Sequence, residues 1–163
     1  MIRSLSLCLA LLAAGPASAL SCLAPSVAGA YQNAADSPAD YVIGVGGLSL
    51  TGPSNPPEGA VAQGGDINQM VGYTQPAQFD GELFTGQAFD SARVLPVTVN
   101  VTCVSAWCGA ANAVDYGLFF FRVENGNYIL DENACPGNTF PDAHPGYLLE
   151  VIDCHNGSCP GNW

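Results

Sequence analysis

The sequence contains no lysine and only three arginines, while aspartate and glutamate together number 14, so the net charge is -11. Nucleic acids and anionic membrane surfaces are dense in negative charge, and proteins bind them through clusters of lysine and arginine. No such cluster can form here, so the composition excludes direct nucleic-acid binding. We expect the acidity to serve solubility instead.

Recognisable catalytic and metal-binding patterns are also missing. There is no G-x-S-x-G motif, no C-x-x-C motif and no pair of zinc knuckles, and the two histidines, His144 and His155, lie at opposite ends of a predicted helix. A helix of that length holds them about 15 Å apart, which is too far for one shared ion. We read His144 as a turn residue and His155 as a cation at the helix C-terminus. The sequence therefore predicts no catalytic residue, no metal site and no cofactor.

The first residues have the pattern of a secretory signal peptide. Arg3 precedes an apolar stretch that is too short to span a bilayer, and Ala17-Ser18-Ala19 supplies the small residues before a cleavage site. We expect residues 1–19 to be removed, leaving a chain that begins at Leu20 and has no membrane span. Lipidation of Cys22 is the alternative, which Leu20 and Ser21 fit poorly.

Removal of that leader leaves six cysteines: Cys22, Cys103, Cys108, Cys135, Cys154 and Cys159. An even number in an exported chain indicates disulfides formed in an oxidising compartment. We therefore expect a periplasmic or secreted protein, and the abundant alanine and glycine without lysine are typical of a GC-rich bacterial genome. Six cysteines allow 15 connectivities, among which spacing alone does not choose.

The remaining chain, residues 20–163, has the length of one domain. A short helix capped by Ser26 precedes a first strand whose glycines predict a strong bend, and residues 51–73 form a long irregular loop. Further strands follow, two of them joined at Asn125-Gly126, and a helix closes the chain. The order is helix, five strands and helix, which predicts a mainly β fold built on a small Greek-key barrel of the OB type.

Several short motifs resemble the superfamily of netrin-like domains and tissue inhibitors of metalloproteinases (TIMP). They are "LSCLAP" with "AYQNAADSPADYVIGVGGLS" at the start, Phe79-Asp-Gly, Cys108-Gly109, "DYGLFFF" and "YILDENAC" ending at Cys135. Members of that superfamily have an OB barrel flanked by helices. The resemblance covers most of the chain after the leader and implies the same architecture here.

The resemblance also implies a disulfide pattern. The second cysteine of the family's opening pairs with the cysteine after the fifth strand, which gives Cys22 with Cys135. The family's first cysteine is replaced by Leu20 here, so Cys108 loses that partner and Cys103 is the local replacement. Members of the family also have a cysteine in the first helix, which is absent here. Its partner after the last helix would be Cys154, and Cys159 is close enough to take its place. The implied set is Cys22–Cys135, Cys103–Cys108 and Cys154–Cys159.

For function, the resemblance and the composition together favour a non-enzymatic binding module with an unknown protein or small-ligand partner. Its candidate interaction edge is Leu20, Ser21, Cys22 and Leu23. Metalloprotease inhibition of the TIMP type is one alternative, and it requires Cys22 at the mature N-terminus, because in that family the terminal cysteine chelates the catalytic zinc. A small secreted enzyme or thiol-redox protein is the other alternative, since disulfides closing short loops can be labile.

Overall fold

A computed structural model describes residues 21–160, so the predicted leader and Leu20 of the candidate edge lie outside the described residues. The described chain is mainly β with a helix near each end, which confirms the coarse fold class. No helix within residues 21–160 has both the length and the apolar character needed to cross a membrane. The elements are α1 (Val27–Asp36), β1 (Asp40–Leu50), β2 (Tyr73–Phe84), β3 (Phe89–Val101), β4 (Cys103–Val104), β5 (Trp107–Cys108), β6 (Val114–Glu124), β7 (Asn127–Glu132), β8 (Thr139–Pro141) and α2 (Pro145–His155).

Five strands pair side by side in a closed ring, in the order β1-β2-β3-β7-β6 with β6 pairing back to β1. All neighbours are antiparallel except β3 and β7, which run parallel over Val97–Val101. β8 adds to β6, and β4 and β5 form a separate two-stranded hairpin. The sequence predicted the five long strands but not these three short ones, because two or three residues are too few to show an alternating pattern.

The apolar run Leu118–Phe121 in β6 is buried on both faces of the sheet. Phe119 and Phe121 point into the ring, where they pack edge-on against Phe79 at centroid distances of 5.8 and 5.1 Å. Leu118 and Phe120 point the other way, into a second core under the two helices. The sheet therefore separates two hydrophobic cores, which explains why this strand is continuously apolar instead of alternating.

The bend predicted for β1 depends on two glycines that face each other. Gly46 pairs directly with Gly81 of β2, and a Cβ on Gly46 would lie 2.6 Å from the Cα of Gly81. Two backbones approach this closely only where both residues lack a side chain. The glycine pair therefore permits β1 to coil around the small ring.

Both helices begin at capping residues. The Ser26 hydroxyl accepts a hydrogen bond from the Gly29 N–H at 3.1 Å, as the sequence predicted. His144, which we expected to be a turn residue, instead caps α2: its Nδ1 accepts from the Gly146 N–H at 3.1 Å. The sequence did not reveal this because histidine is a less common capping residue than serine or aspartate.

Pro96 lies inside β3, opposite Gln78 of β2. β7 pairs with β3 only from Val97 onward. The missing N–H of Pro96 therefore falls just before the second partner strand begins, where it interrupts no ladder on that side.

Candidate interaction surface

The two ends of the ring are connected in different ways. β3 and β7 end, and β2 begins, on the same side, because β3 pairs in parallel with β7 and antiparallel with β2. Residues 51–72, 102–113 and 133–138 leave the ring there, and we call this side the loop end. Residues 85–88 and 125–126 join strands on the opposite side, the turn end. The long connections thus gather at one end of the molecule.

A disulfide-closed hairpin projects from the loop end. β4 pairs with β5, so Cys103 lies opposite Cys108, to which it is disulfide-bonded, and Val104 lies opposite Trp107. Ser105 in the turn has a left-handed backbone with φ 58°, as tight hairpin turns often require. The pairing and the disulfide together hold Val104 and Trp107 side by side.

The long loop 51–72 contacts this hairpin directly. The Ser105 hydroxyl donates to the Asn68 carbonyl at 2.6 Å, and the Met70 N–H donates to the Ser105 carbonyl at 3.1 Å. Val61 pairs with Met70 across the loop, so the loop folds back on itself before it reaches the hairpin. Ile67, next to Asn68, therefore stands beside the hairpin with 73% of its surface exposed.

The candidate edge is attached to the same end. Cys22 forms a disulfide with Cys135, which lies in the segment that follows β7. Ser21 and Leu23 flank it on the surface, and Leu23 is 94% exposed. The structure also joins Cys103 to Cys108 and Cys154 to Cys159, so its three disulfides are the pairs that the resemblance implies.

Backbone hydrogen bonds tie the hairpin to the segment carrying Cys135. The Gly109 N–H donates to the Thr102 carbonyl at 3.1 Å, and the Thr102 N–H donates to the Glu132 carbonyl at 2.9 Å. A Cβ on Gly109 would lie 2.5 Å from that same Glu132 carbonyl oxygen. Glycine after the second hairpin cysteine is thus what lets the two segments approach.

Large apolar side chains are exposed on the long loop, on the hairpin and on the start of the described chain beside Cys22. A tryptophan is ordinarily well buried, yet Trp107 is 54% exposed and Val104 is 60% exposed. Several exposed apolar side chains on neighbouring segments mark a contact surface more often than a single one does. We call this group the loop-end surface; it comprises Leu23, Val61, Ile67, Val104 and Trp107.

Exposed carboxylates occur at both ends of the ring. At the loop end, Glu58 and Asp66 lie in the long loop and Asp115 lies at the start of β6. At the turn end, Arg93 and Arg122, the two arginines within residues 21–160, lie opposite Gly81 and Tyr41. Exposed carboxylates accompany them there: Asp40, Glu82, Asp90 and Glu124. The described loop-end segments therefore differ from the turn end in carrying no arginine.

A cleft of about 930 Å³ adjoins the candidate edge. Its walls are the first residues of the described chain, the segment 133–138 and one side of α2, including Asp153. Glu150 of α2 accepts a hydrogen bond from the Ala28 N–H at 2.9 Å and so joins the two helices across it. Leu23 stands at the border between this cleft and the loop-end surface.

Two neighbouring carboxylates of β7 are in opposite electrostatic situations. Burial alone would raise the pKa of Asp131, but hydrogen bonds from Arg122 at 2.6 Å and Asn100 at 2.7 Å hold that pKa below its ordinary value. Burial raises the pKa of Glu132, which is only partly offset by a short hydrogen bond from the Thr139 hydroxyl. Glu132 thus favours its protonated form more than Asp131 does.

The two histidines have structural contacts at separate places. His144 caps α2. His155 forms a hydrogen bond through its Nδ1 with the Tyr31 hydroxyl at 2.9 Å, and this bond connects α2 to α1. Burial raises the pKa of Tyr31. Among residues 21–160, no group of three or more histidine, cysteine, aspartate or glutamate side chains is placed to hold a metal ion.

Comparison with protein-family models, with curated proteins and with solved structures gave no match.

From the sequence we predicted the disulfide-bonded cysteines and the candidate edge, but not Val104, Trp107 and Ile67. A signal was present, because each is a large apolar residue in a segment otherwise made of small and polar residues. That signal does not distinguish an exposed side chain from one that folds back into the core. Only the positions of the hairpin and the loop on the ring made the distinction.

Proposed function

We propose that this chain is an exported, disulfide-bonded, non-enzymatic binding module that holds a partner protein on its loop-end surface. The observation that carries the proposal is the exposure of Leu23, Ile67, Val104 and Trp107 on three segments that are joined to one another by disulfides and hydrogen bonds. Apolar anchors of this kind dominate the energetics of protein interfaces.

The fixed backbone favours tight binding. A loop that must become ordered on binding loses conformational entropy, and a loop already ordered avoids that cost. Here the hairpin is closed by Cys103–Cys108, and Ser105 is hydrogen-bonded to the long loop on its other side. The binding residues are therefore presented in one arrangement before the partner arrives.

The partner's surface should be apolar at the centre and basic at its border. Glu58 and Asp66 lie in the same long loop as Val61 and Ile67, and the net charge of the whole chain is -11. Complementary charge speeds association and disfavours acidic competitors. This chemistry favours a protein with exposed lysine or arginine around an apolar patch.

We further propose that the ring is an OB-type barrel of the TIMP and netrin-like kind. Support comes from the strand order, with one parallel pair between β3 and β7 and a long connection after β1. OB barrels that bind oligonucleotides stack bases on aromatic side chains of their outer sheet face. The exposed residues of β2 and β3 include no aromatic side chain, so ligand binding of that type is disfavoured.

Site-specific photocrosslinking in the producing cells tests the proposal. A photoreactive phenylalanine replaces Trp107 at the loop end or, as the matched control, Val94, which is 55% exposed on β3. We expect one crosslinked protein from position 107 and none from position 94. Equal crosslinking from both positions, or none from either, would contradict the proposal.

The crosslinked protein then allows a direct binding measurement. The double variant Trp107→Ser/Ile67→Ser should weaken its affinity at least tenfold, as expected when interface anchors are truncated. Val94→Ser is the control, because Val94 is 55% exposed but lies on β3, outside the loop-end surface. The control should bind as the unmodified protein does.

Inhibition of a metalloprotease is a second candidate, favoured by the exposed Ser21–Leu23 edge that Cys22–Cys135 fixes beside the cleft. It depends on where the mature chain begins. N-terminal sequencing of the exported protein gives that position, and forms starting at Leu20 and at Cys22 can be compared against a zinc protease. Inhibition by the Cys22 form alone would support this candidate, and inactivity of both forms would remove it.

A further inference from the structure

A second cavity lies on the other side of α2 from the cleft described above. It measures about 410 Å³ and is bounded by Phe89 of β3, Tyr116 of β6, His144 and the α2 residues Leu148 and Ile152. This volume is within the range of small-molecule binding sites, about 300–1,000 Å³. Its lining contains no aspartate, glutamate or arginine, although the chain as a whole is strongly acidic.

The walls of this cavity are held by packing contacts. Phe89 rests against Phe84 with ring centroids 5.2 Å apart, and Phe84 in turn contacts the ring of His155 at 5.2 Å. Leu148 packs against the core under the helices. Because both the sheet side and the helix side are anchored in this way, the groove does not depend on a ligand to form.

One polar group in the lining has a defined hydrogen-bonding state. Nδ1 of His144 accepts the Gly146 N–H, so in the neutral imidazole the proton is on Nε2. The His144 ring also packs against Tyr147 at a centroid distance of 4.0 Å, which restricts its orientation. The rim of an otherwise apolar groove therefore presents one N–H donor.

We propose that this groove binds a small neutral molecule with an apolar body and a hydrogen-bond acceptor, such as a ketone or ester. The apolar body would lie between Phe89 and the α2 side chains, and the acceptor would meet the Nε2–H of His144. A charged ligand would lose its hydration in a groove whose lining has no aspartate, glutamate or arginine to pair with it.

Two other occupants fit the groove less well. A stable dimer buries about 800 Å² on each partner, far more than a groove of this size provides, and two copies with a charge of -11 repel each other. The ends of the described chain, near Leu23 and Pro160, both line the other cleft. A small molecule is the occupant that matches the size and the lining.

The test is an NMR titration of the isotope-labelled exported protein with 2-nonanone, and with nonanoate and nonylammonium as charged analogues of similar length. We expect saturable shifts at Phe89, Tyr116, Leu148 and Ile152 with the ketone, and at least tenfold weaker binding of both ions. Equal binding of an ion, shifts centred on the loop-end surface, or no saturable shift would each overturn the proposal.

Variants locate the site independently of the shifts. Ile152→Glu places a charge in the groove, Ile152→Trp fills it, and each should weaken ketone binding at least tenfold. Val94→Glu is the control, because it adds the same charge at an exposed β3 position outside the groove and should leave binding unchanged. Nuclear Overhauser effects between the ketone and Phe89 in the unmodified protein decide the matter if an Ile152 variant does not fold.

Discussion

The loop end and the turn end of the ring are built from the same strands but differ in almost every other respect. At the turn end, β6 and β7 are joined by Asn125 and Gly126, both with positive φ, and Arg122 forms an ion pair with Glu124 nearby. At the loop end, the connections are long, apolar side chains are exposed, and the Cys22–Cys135 and Cys103–Cys108 disulfides lie within them.

The difference lies in what holds the connections of each end in place. A tight turn needs only local backbone geometry, so the turn end requires no cross-link. Long connections carry a large entropy in the unfolded chain, and holding them in place calls for disulfides and hydrogen bonds. Two of the three disulfides within residues 21–160 therefore lie at the end of the ring that has the long connections.

The largest expected effect comes from removing the disulfide that joins the chain's start to the loop end. Cys22–Cys135 spans 113 residues and Cys103–Cys108 spans five. Loop-closure entropy predicts that Cys22→Ala/Cys135→Ala lowers the free energy of unfolding by about 5 kcal/mol, and Cys103→Ala/Cys108→Ala by about 2 kcal/mol. Urea denaturation of both variants measures the difference. Equal losses would show that loop length does not govern the stability of this end.

A pair of glycine substitutions compares the two ends directly. Gly109→Ala would push a methyl group against the Glu132 backbone and should cost about 2–3 kcal/mol. Gly126→Ala meets no atom within 4 Å but must keep a φ of 79°, which costs about 1 kcal/mol. Urea denaturation ranks the two variants. A larger cost for Gly126→Ala would contradict the close approach inferred at the loop end.

The β7 carboxylates predict opposite responses to pH. The pKa of Asp131 is lowered in the folded protein, so its contribution is present at neutral pH and is lost as the pH falls through that lowered pKa. The pKa of Glu132 is raised, so its contribution is present at acidic pH and is lost as the pH rises through the raised pKa.

The unmodified protein should therefore exceed Asp131→Asn in stability at neutral pH and approach it below about pH 4. Relative to Glu132→Gln, by contrast, the unmodified protein should lose stability as the pH rises above about 4.5. Urea denaturation between pH 3 and pH 8 gives both curves. If the stability differences from the two variants changed with pH in the same direction, burial of Glu132 and ion pairing of Asp131 would not have opposite effects.

The smallest expected effect on stability is that of the loop-end side chains themselves. Trp107→Ser/Ile67→Ser removes exposed apolar surface, so the free energy of unfolding should change by no more than about 0.5 kcal/mol. The same variant is the one expected to lose the partner. A stability loss above about 2 kcal/mol would indicate that these residues support the fold instead of a binding surface.

The sequence predicted much of the local structure correctly. Ser26 begins α1, Asn125-Gly126 forms the hairpin turn, and the glycines of β1 mark the bend where Gly46 meets Gly81. Each of these signals depends on neighbours along the chain or on the conformational range of one residue. The capping role of His144 was not predicted, because a cap is recognised by a hydrogen bond that the residue type alone does not predict.

The candidate surface was predicted only in part. The cysteines indicated cross-links, and the edge at Ser21–Leu23 followed from the family resemblance. Trp107 and Ile67 lie in segments about 40 residues apart in sequence, and the Ser105 hydrogen bonds that bring those segments together leave no periodic pattern. Contacts between irregular segments therefore had to come from the structure.

The sequence by itself determined the acidity, the disulfide chemistry, the mainly β character and the turns, because composition and short-range sterics fix each of them. Tertiary structure alone decided that β6 separates two cores, that the long connections share one end of the ring, and that their apolar residues face outward. The physical reason is that exposure depends on which strands pair. Strand pairing brings together residues far apart in the chain, and a single sequence does not record those neighbours.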